Sequence, residues 1–381
     1  MAVNPVGHPR PLLVSMSTCA VLSFRLRGTD GVSIVADTWI DALQRGGFEI
    51  RTVAGAGPVD VLIPDLAIGR WPDGAPGLHS AGGATDTEID HLTADLVAAL
   101  SGADLVVVEN LGSIPMNLPA SIAVARARQG LPTIWHHHDP AWQRDRYADV
   151  TELPPREQTE SGQWRHVTIN ELTRQEFLDR GFAATTIRNG FDVHATMGDR
   201  IGERARHNFS DNELVMVHPV RAIERKNIPL ALEIAQQIGA TYWLTGPAEE
   251  GYEATLDALL AEARSNGINV IHEPSTSLAD MYAASDVVVF PSTWEGFGNP
   301  PIDAAIHRRP AIVSHYPVAD ELRSLGFTWF DPNDLEAFKT WSAQPDQSLL
   351  DHNHDVVEST LSLEIMQAAL TDLLNEAGWL P

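Results

Sequence analysis

Short runs of consecutive apolar residues alternate along the chain with segments whose apolar positions recur every three to four residues. Residues 12–22 read as a buried strand. After it, Val32, Val35, Ala36, Trp39, Ile40 and Leu43 share one face of a helix by their spacing, and Gly46-Gly47 stops that helix. Further strands are predicted at 48–53, 105–108, 133–137, 167–169 and 185–188, with helices at 88–100, 120–128 and 171–180. The second half repeats the alternation. Its strands are predicted at 214–218, 242–245, 269–272, 287–290 and 311–314, and its helices near 230–238, 255–265, 278–284 and 302–308. An amphipathic helix at 361–374 has no strand after it. Residues 55–85, 139–163 and 190–212 lack periodicity; the last of these reads as a linker, and the middle one as a long loop, uncommon unless functional.

Alternating strands and helices with short, continuous apolar strands argue for parallel sheets covered on both faces. A length of 381 residues suits two such domains. The expected fold class is therefore α/β, with two doubly wound, Rossmann-like domains facing a cleft at the carboxyl ends of their strands.

Charge narrows the function classes. Lys and Arg number 26 against 51 Asp and Glu, a formal net charge of −25. Nothing builds the basic face that nucleic acid or an anionic membrane surface requires. One Cys excludes an intrachain disulfide framework and fits a reducing compartment, so a cytoplasmic location is expected. Residues 12–24 read as the first strand rather than a signal peptide, because Pro9, Pro11 and one Arg precede them instead of a basic cluster. Only Lys226 and Lys339 among the basic residues are Lys; a Lys among Arg suggests a place suited to a compact ammonium, whereas Lys339, in a polar helical stretch, reads as drift on a solvated surface.

Four places carry candidate chemistry. Glu295-Gly-Phe-Gly-Asn-Pro-Pro-Ile-Asp303 runs from a strand through a Gly-containing turn into a helix, with Asn299 suited to the N-cap and Pro300 to the first helical position. Such a turn brings backbone N–H groups to a phosphate, and Glu295 and Asp303 can accept sugar hydroxyls. The alternative is that Asp303 only complements the helix dipole and Glu295 is a loop acid. Arg221-Ala-Ile-Glu-Arg-Lys226 puts cations on a strand-to-helix turn, where they can neutralise a diphosphate or simply pair with Glu224. Gly28-Thr-Asp30-Gly31 sits at a phosphate-loop position without a dinucleotide fingerprint. His136-His137-His138-Asp139 ends a strand; its residues alternate faces, so three adjacent imidazoles cannot converge on a metal. His138 beside Asp139 reads either as an oriented acid–base or as a satisfied strand-end His.

With these residues assembled, the chain resembles the GT-B glycosyltransferases, specifically the retaining glycosyltransferase 4 family. Glu295 to Asp303 is similar to its E-x7-E motif, Arg221 and Lys226 to its Arg/Lys pair, and residues 281–291 to the segment preceding the motif. Asn189-Gly-Phe-Asp192 is similar to its NG-x-D turn, and His138-Asp139 to its His-Asp strand end. The resemblance implies an acceptor-side domain over 1–195, with a helix near 360–381 returning to it, and a donor domain over 207–358. It implies catalytic roles for Arg221, Lys226, Glu295 and His138. Donor contacts would come from Gly31, Phe297, Gly298, Asn299 and Asp303, with Glu273 and Pro274 beside the nucleobase.

On the acceptor side stand Asp30, Asp139, Arg25 and Arg144. The implied function is metal-independent transfer, with retention, of a sugar from a nucleotide-sugar donor to a hydroxyl. A small soluble acceptor is expected, with no cofactor, no nucleic acid and no membrane anchor. The chain departs from the family pattern in having Asp303 for Glu and Asp30 for a glycine. A non-catalytic nucleotide- or sugar-binding protein, an epimerase and a phosphorylase stand as alternatives.

Overall fold

The apolar runs become strands of two sheets in which every described pairing is parallel. The computed structural model describes residues 17–28, 30–70, 83–194, 196–249 and 251–381. Residues 12–16 of the expected first strand, Thr29 of the Gly28–Gly31 turn and 71–82 of the irregular stretch lie outside the described residues.

The chain runs β1 (Thr18–Ser23), α1 (Gly31–Arg45), β2 (Glu49–Ala54), β3 (Val61–Leu62), α2 (Asp86–Ala99), β4 (Leu105–Glu109), α3 (Leu118–Ala127), β5 (Thr133–His137), β6 (Trp164–Thr168), α4 (Glu171–Asp179) and β7 (Ala184–Thr186). These strands form a seven-stranded sheet of order β3-β2-β1-β4-β5-β6-β7. Then follow α5 (Arg200–Arg206), β8 (Val215–His218), α6 (Ile228–Ile238), β9 (Thr241–Leu244), α7 (Glu253–Ser265), β10 (Val270–His272), α8 (Leu278–Ala284), β11 (Val287–Phe290), α9 (Asn299–Ile306) and β12 (Ala311–Val313). Their five-stranded sheet has order β10-β9-β8-β11-β12. Four helices complete the chain: α10 (Pro317–Ser324), α11 (Leu335–Ala343), α12 (Gln347–Thr360) and α13 (Leu363–Ala377).

Continuous burial explains the uninterrupted apolar strands. β4, β8, β9 and β11 are buried at every position, as strands covered on both faces must be. The face predicted for α1 is the buried one: Val35, Ala36, Trp39, Ile40 and Leu43 are enclosed.

The chain divides into two compact units, Met1–Arg165 with Thr371–Pro381, and His166–Leu370. The division falls earlier than the expected boundary at 195. Residues 166–194 group with the second unit because their polar groups are tied there. The Glu321 carboxylate accepts the N–H groups of Glu171 and Leu172 at the start of α4 and pairs with Arg188 at 2.7 Å. The Asn170 side chain donates to the Gly296 carbonyl at 2.6 Å. Residues 371–381 group with the first unit, where the Arg165 guanidinium lies 5.2 Å from the centre of the Trp379 ring. The expected linker at 190–212 holds α5 instead. Asp199 caps this helix, and buried Arg204 donates to the carbonyls of Ala284 and Glu213. Its packed residues are charged, so it has no apolar period to read.

Candidate functional site

In the second unit, β8 and β11 are parallel neighbours, so the loops leaving their carboxyl ends run side by side. The Thr293 N–H donates to the Arg225 carbonyl at 2.9 Å and ties the two loops together. The β8 loop ends in a short helical turn, Glu224–Lys226, and Asn227 takes the left-handed conformation before α6 begins. Lys226 is thereby turned inward and buried. Its ammonium donates to Glu295 at 2.5 Å and lies 5.1 Å from the centre of the Phe290 ring. Arg225 pairs with the other oxygen of the same carboxylate. Burial pushes the Lys226 ammonium down to about 8 against the opposing pull of Glu295. Burial alone would raise the Glu295 carboxyl, but Lys226 and Arg225 outweigh it and hold it below its ordinary value.

The turn after Glu295 is built to expose amides. Phe297 is buried and its ring stacks on Phe191. The N–H groups of Phe297, Gly298 and Asn299 make no hydrogen bond among the described residues. Gly298, not Asn299, caps α9, with φ at 101°. Asn299 is instead the first helical residue. A Cβ on Gly298 would stand 2.6 Å from the Tyr316 hydroxyl, which is buried without a partner. Asp303, a turn further along α9, has no ionic or hydrogen-bonding side-chain partner among the described residues. Burial pushes its carboxyl up to about 7, although part of the residue meets solvent.

Arg221 lies at the start of the β8 loop, exposed and paired with Glu249 at 2.6 Å. An exposed pair of this kind is weak, which leaves the guanidinium able to turn to an anion. Glu273 and Pro274 follow β10. Both backbone groups of Glu273 are committed, its N–H to Leu244 and its carbonyl to the Trp243 indole. The Pro274 carbonyl accepts from Arg206. The Glu273 carboxylate is exposed but stands 3.3 Å from His207 Nδ1, so the Pro274 ring and the free side of that carboxylate are what remain for a ligand there.

In the first unit, Asp30 caps α1. It accepts from the Ser33 amide and hydroxyl, and from Arg25 at 2.9 Å. The anion beside the loop is thus already occupied. A Cβ on Gly31 would meet nothing within 4 Å, so packing does not demand this glycine.

His138 is oriented by Glu109, not by its neighbour Asp139. The Asp139 carboxylate is taken by Asn110 at 2.7 Å and Arg144 at 2.7 Å. Glu109, at the end of β4, stands in register with His136 on β5. One oxygen of its carboxylate lies 2.9 Å from His136 Nδ1 and 2.9 Å from His138 Nε2. Trp39 stacks on His136 at 4.1 Å between ring centres, while His137 points the other way, to Ser113. Burial opposes charge on Glu109, but His136 and His138 prevail and hold its carboxyl down to about 2. Burial lowers His136. The three ligating atoms lie within 4.8 Å of one another, a spacing compatible with a metal ion. Two imidazole N–H groups on one carboxylate oxygen also account for these distances by hydrogen bonding, although Glu109 Oε1 and His136 Nε2 are left buried without a partner among the described residues. Arg225, Glu109 and Tyr316 are absent from the sequence-based site. Arg225 could have been found by its place beside Lys226, but the other two carry no local signal.

Among the described residues, no helix is long and apolar enough to cross a membrane. Residues 199–342 match the family model of the glycosyl transferases group 1. The chain is 28% identical over 274 residues to the mannosylglucosylglycerate synthase of Petrotoga mobilis, covering 59% of this chain and 62% of that protein. It therefore spans less than two thirds of that relative's length. To the enzyme of the same name from Thermotoga maritima it is 23% identical, covering 78% of this chain and 81% of the relative. Among solved structures, Anabaena HepE in complex with UDP and glucose superposes with a TM-score of 0.73 at 17% identity, covering 94% of this chain and 100% of that one. WaaG, a glycosyltransferase of lipopolysaccharide biosynthesis, superposes with a TM-score of 0.65 at 13% identity, covering 93% and 99%. These likenesses establish the two-domain GT-B fold, and the family match lies over the residues that bear Arg221, Lys226, Glu295 and Asp303. Residues 199–342 are thus similar to the glycosyl transferases group 1, and the chain has the GT-B fold of these solved structures.

Proposed function

We propose that the chain transfers a sugar, with retention, from a nucleotide-sugar donor to a hydroxyl of a small soluble acceptor, without a metal. The observation that carries this reading is the buried Lys226–Glu295–Arg225 cluster beside the open amides of Phe297, Gly298 and Asn299. Two cations and a helix N-terminus give preorganised positive potential for a departing diphosphate. A carboxylate has about four acceptor sites, so Glu295 can keep one cation and still take a sugar hydroxyl. Lys226, with Arg221 turned from Glu249, holds the diphosphate. Phe297, Gly298 and Asn299 offer amides to the phosphate or sugar, and Asp303 takes a ribose hydroxyl. In the first unit His138 meets the reacting sugar, and Gly31 leaves room for a phosphate. Asp30, Arg25, Asp139 and Arg144 are already paired with one another and contribute to the acceptor side only by exchanging partners.

The departing phosphate serves as base for the attacking hydroxyl. The Petrotoga and Thermotoga relatives are mannosylglucosylglycerate synthases, which favours a mannosyl donor and a small glycoside as acceptor. A thermal-shift panel of UDP-, GDP- and ADP-sugars and their bare diphosphates tests the reading. A ligand at 100 times its dissociation constant stabilises by ~2.7 kcal/mol. A selective shift, followed by transfer from that donor, supports the proposal; no shift and no transfer with any donor overturns it.

A further inference from the structure

The Glu109–His136–His138 cluster is more than a satisfied strand end. Glu109 is fully enclosed, and its carboxylate can only accept, so the nitrogen facing it on each ring must carry the proton. For His138 that nitrogen is Nε2, which leaves Nδ1 as a lone pair. Among the described residues Nδ1 has no partner, and it is not among the buried unpaired atoms, so it is the open side of the ring. The ring cannot turn without taking one of two donors from a buried carboxylate whose other oxygen already has none among the described residues. His136 takes the second donor position on the same oxygen, and Trp39 clamps that ring from above. Strand register makes the arrangement rigid, because Glu109 and His136 are ladder partners and His138 follows two residues later on the same face.

We infer that Glu109 is a positioning residue which fixes His138 in the Nε2–H tautomer, so that Nδ1 accepts a hydrogen bond from a substrate hydroxyl. The inference rests on the glycosyl-transfer reading for the identity of that hydroxyl, but the tautomer is a property of the chain itself. His136 is a spacer in this scheme: it is the second donor to Glu109 Oε2 and touches no substrate. The logic is that of an acid behind a histidine, where a wrong tautomer disables the imidazole while leaving its position intact.

The test is the 15N spectrum of the full chain labelled at histidine, with the His138 signals assigned by their loss in His138→Asn. The expected result is the Nε2–H tautomer for His138 in the wild type and a mixture of tautomers in Glu109→Gln, whose amide can also donate. With the donor found by the panel above, Glu109→Gln should lower kcat by about 10–100-fold, the size of losing an outer partner that orients a functional His, with KM little changed. Glu109→Asp should recover part of the loss. An Nδ1–H tautomer in the wild type overturns the inference, and so does a Gln variant with wild-type tautomer and kcat. A chain that transfers no sugar from any donor defeats the functional reading instead, while the wild-type tautomer still decides for or against Glu109.

Discussion

Lys226 and Glu295 are joined at 2.5 Å across two loops, and each is the reason the other can be buried. Removing either leaves a charge in a dry place beside Arg225. Lys226→Ala and Glu295→Ala should each lower transfer by ~10² or more, the effect of deleting one electrostatic stabiliser. Glu295→Ala should also lower stability by ~3 kcal/mol, because it strands the buried Lys226 ammonium, whereas Lys226→Ala leaves Glu295 paired with Arg225 and should cost less. Wild-type turnover in both purified variants would falsify the site.

The pH response follows from Lys226. Burial brings its ammonium down to about 8, and a bound diphosphate restores the charge. Affinity for the bare diphosphate should therefore fall as pH rises past 8, by up to about tenfold per unit, with proton uptake on binding. Lys226→Arg keeps its charge and should flatten the profile. Calorimetry in buffers of different ionisation enthalpy reads the uptake directly; equal heats across buffers at pH 9 count against it.

Asp303 gives the opposite kind of titration. With its carboxyl at about 7 in the folded chain, it holds a proton between pH 4 and 7 that the unfolded chain has lost. Stability from this group falls as pH rises through that window, and partial exposure keeps the loss small. Asp303→Asn should melt above wild type at pH 8 and lose that advantage near pH 4. A gap that is constant over the range rules this out.

Gly298 is required on two counts, its φ of 101° and the Tyr316 hydroxyl 2.6 Å from any Cβ. Gly298→Ala should destabilise by roughly 2–4 kcal/mol, combining left-handed strain and overpacking. Tyr316→Phe alone should be neutral or stabilising, because that hydroxyl is buried unpaired. The double variant should recover the part due to the clash. An alanine variant that melts with the wild type refutes this account.

Much of the fold was legible because parallel strands buried on both faces leave unbroken apolar runs, as in β4, β8 and β11. The face of α1 was legible for the same reason, since a single apolar stripe is all that packs. α5 was not, because its enclosed residues are Glu203 and Arg204, and charge in a core leaves no period. Of the site, the segments could be read but not their pairing. Arg221 has the family spacing to Lys226, yet Arg225 is the one that reaches Glu295. Glu109 was hidden more deeply. It closes a run that reads as plain core, and what makes it matter is the ladder partner across β5. Local sequence shows which residues lie on a strand, not which strand lies beside it.

The placement of residues 371–381 in the unit that holds β1 sets an order of events on the ribosome. The whole of His166–Leu370 is synthesised before those residues appear, which takes roughly 10–40 s at ordinary elongation rates. Throughout that interval the first unit stands without its last residues: Arg165 waits for Trp379 and the turn at Gly47 waits for Pro381. The unit translated first is therefore completed last, and its surface under 371–381 is what a chaperone would find uncovered on the nascent chain.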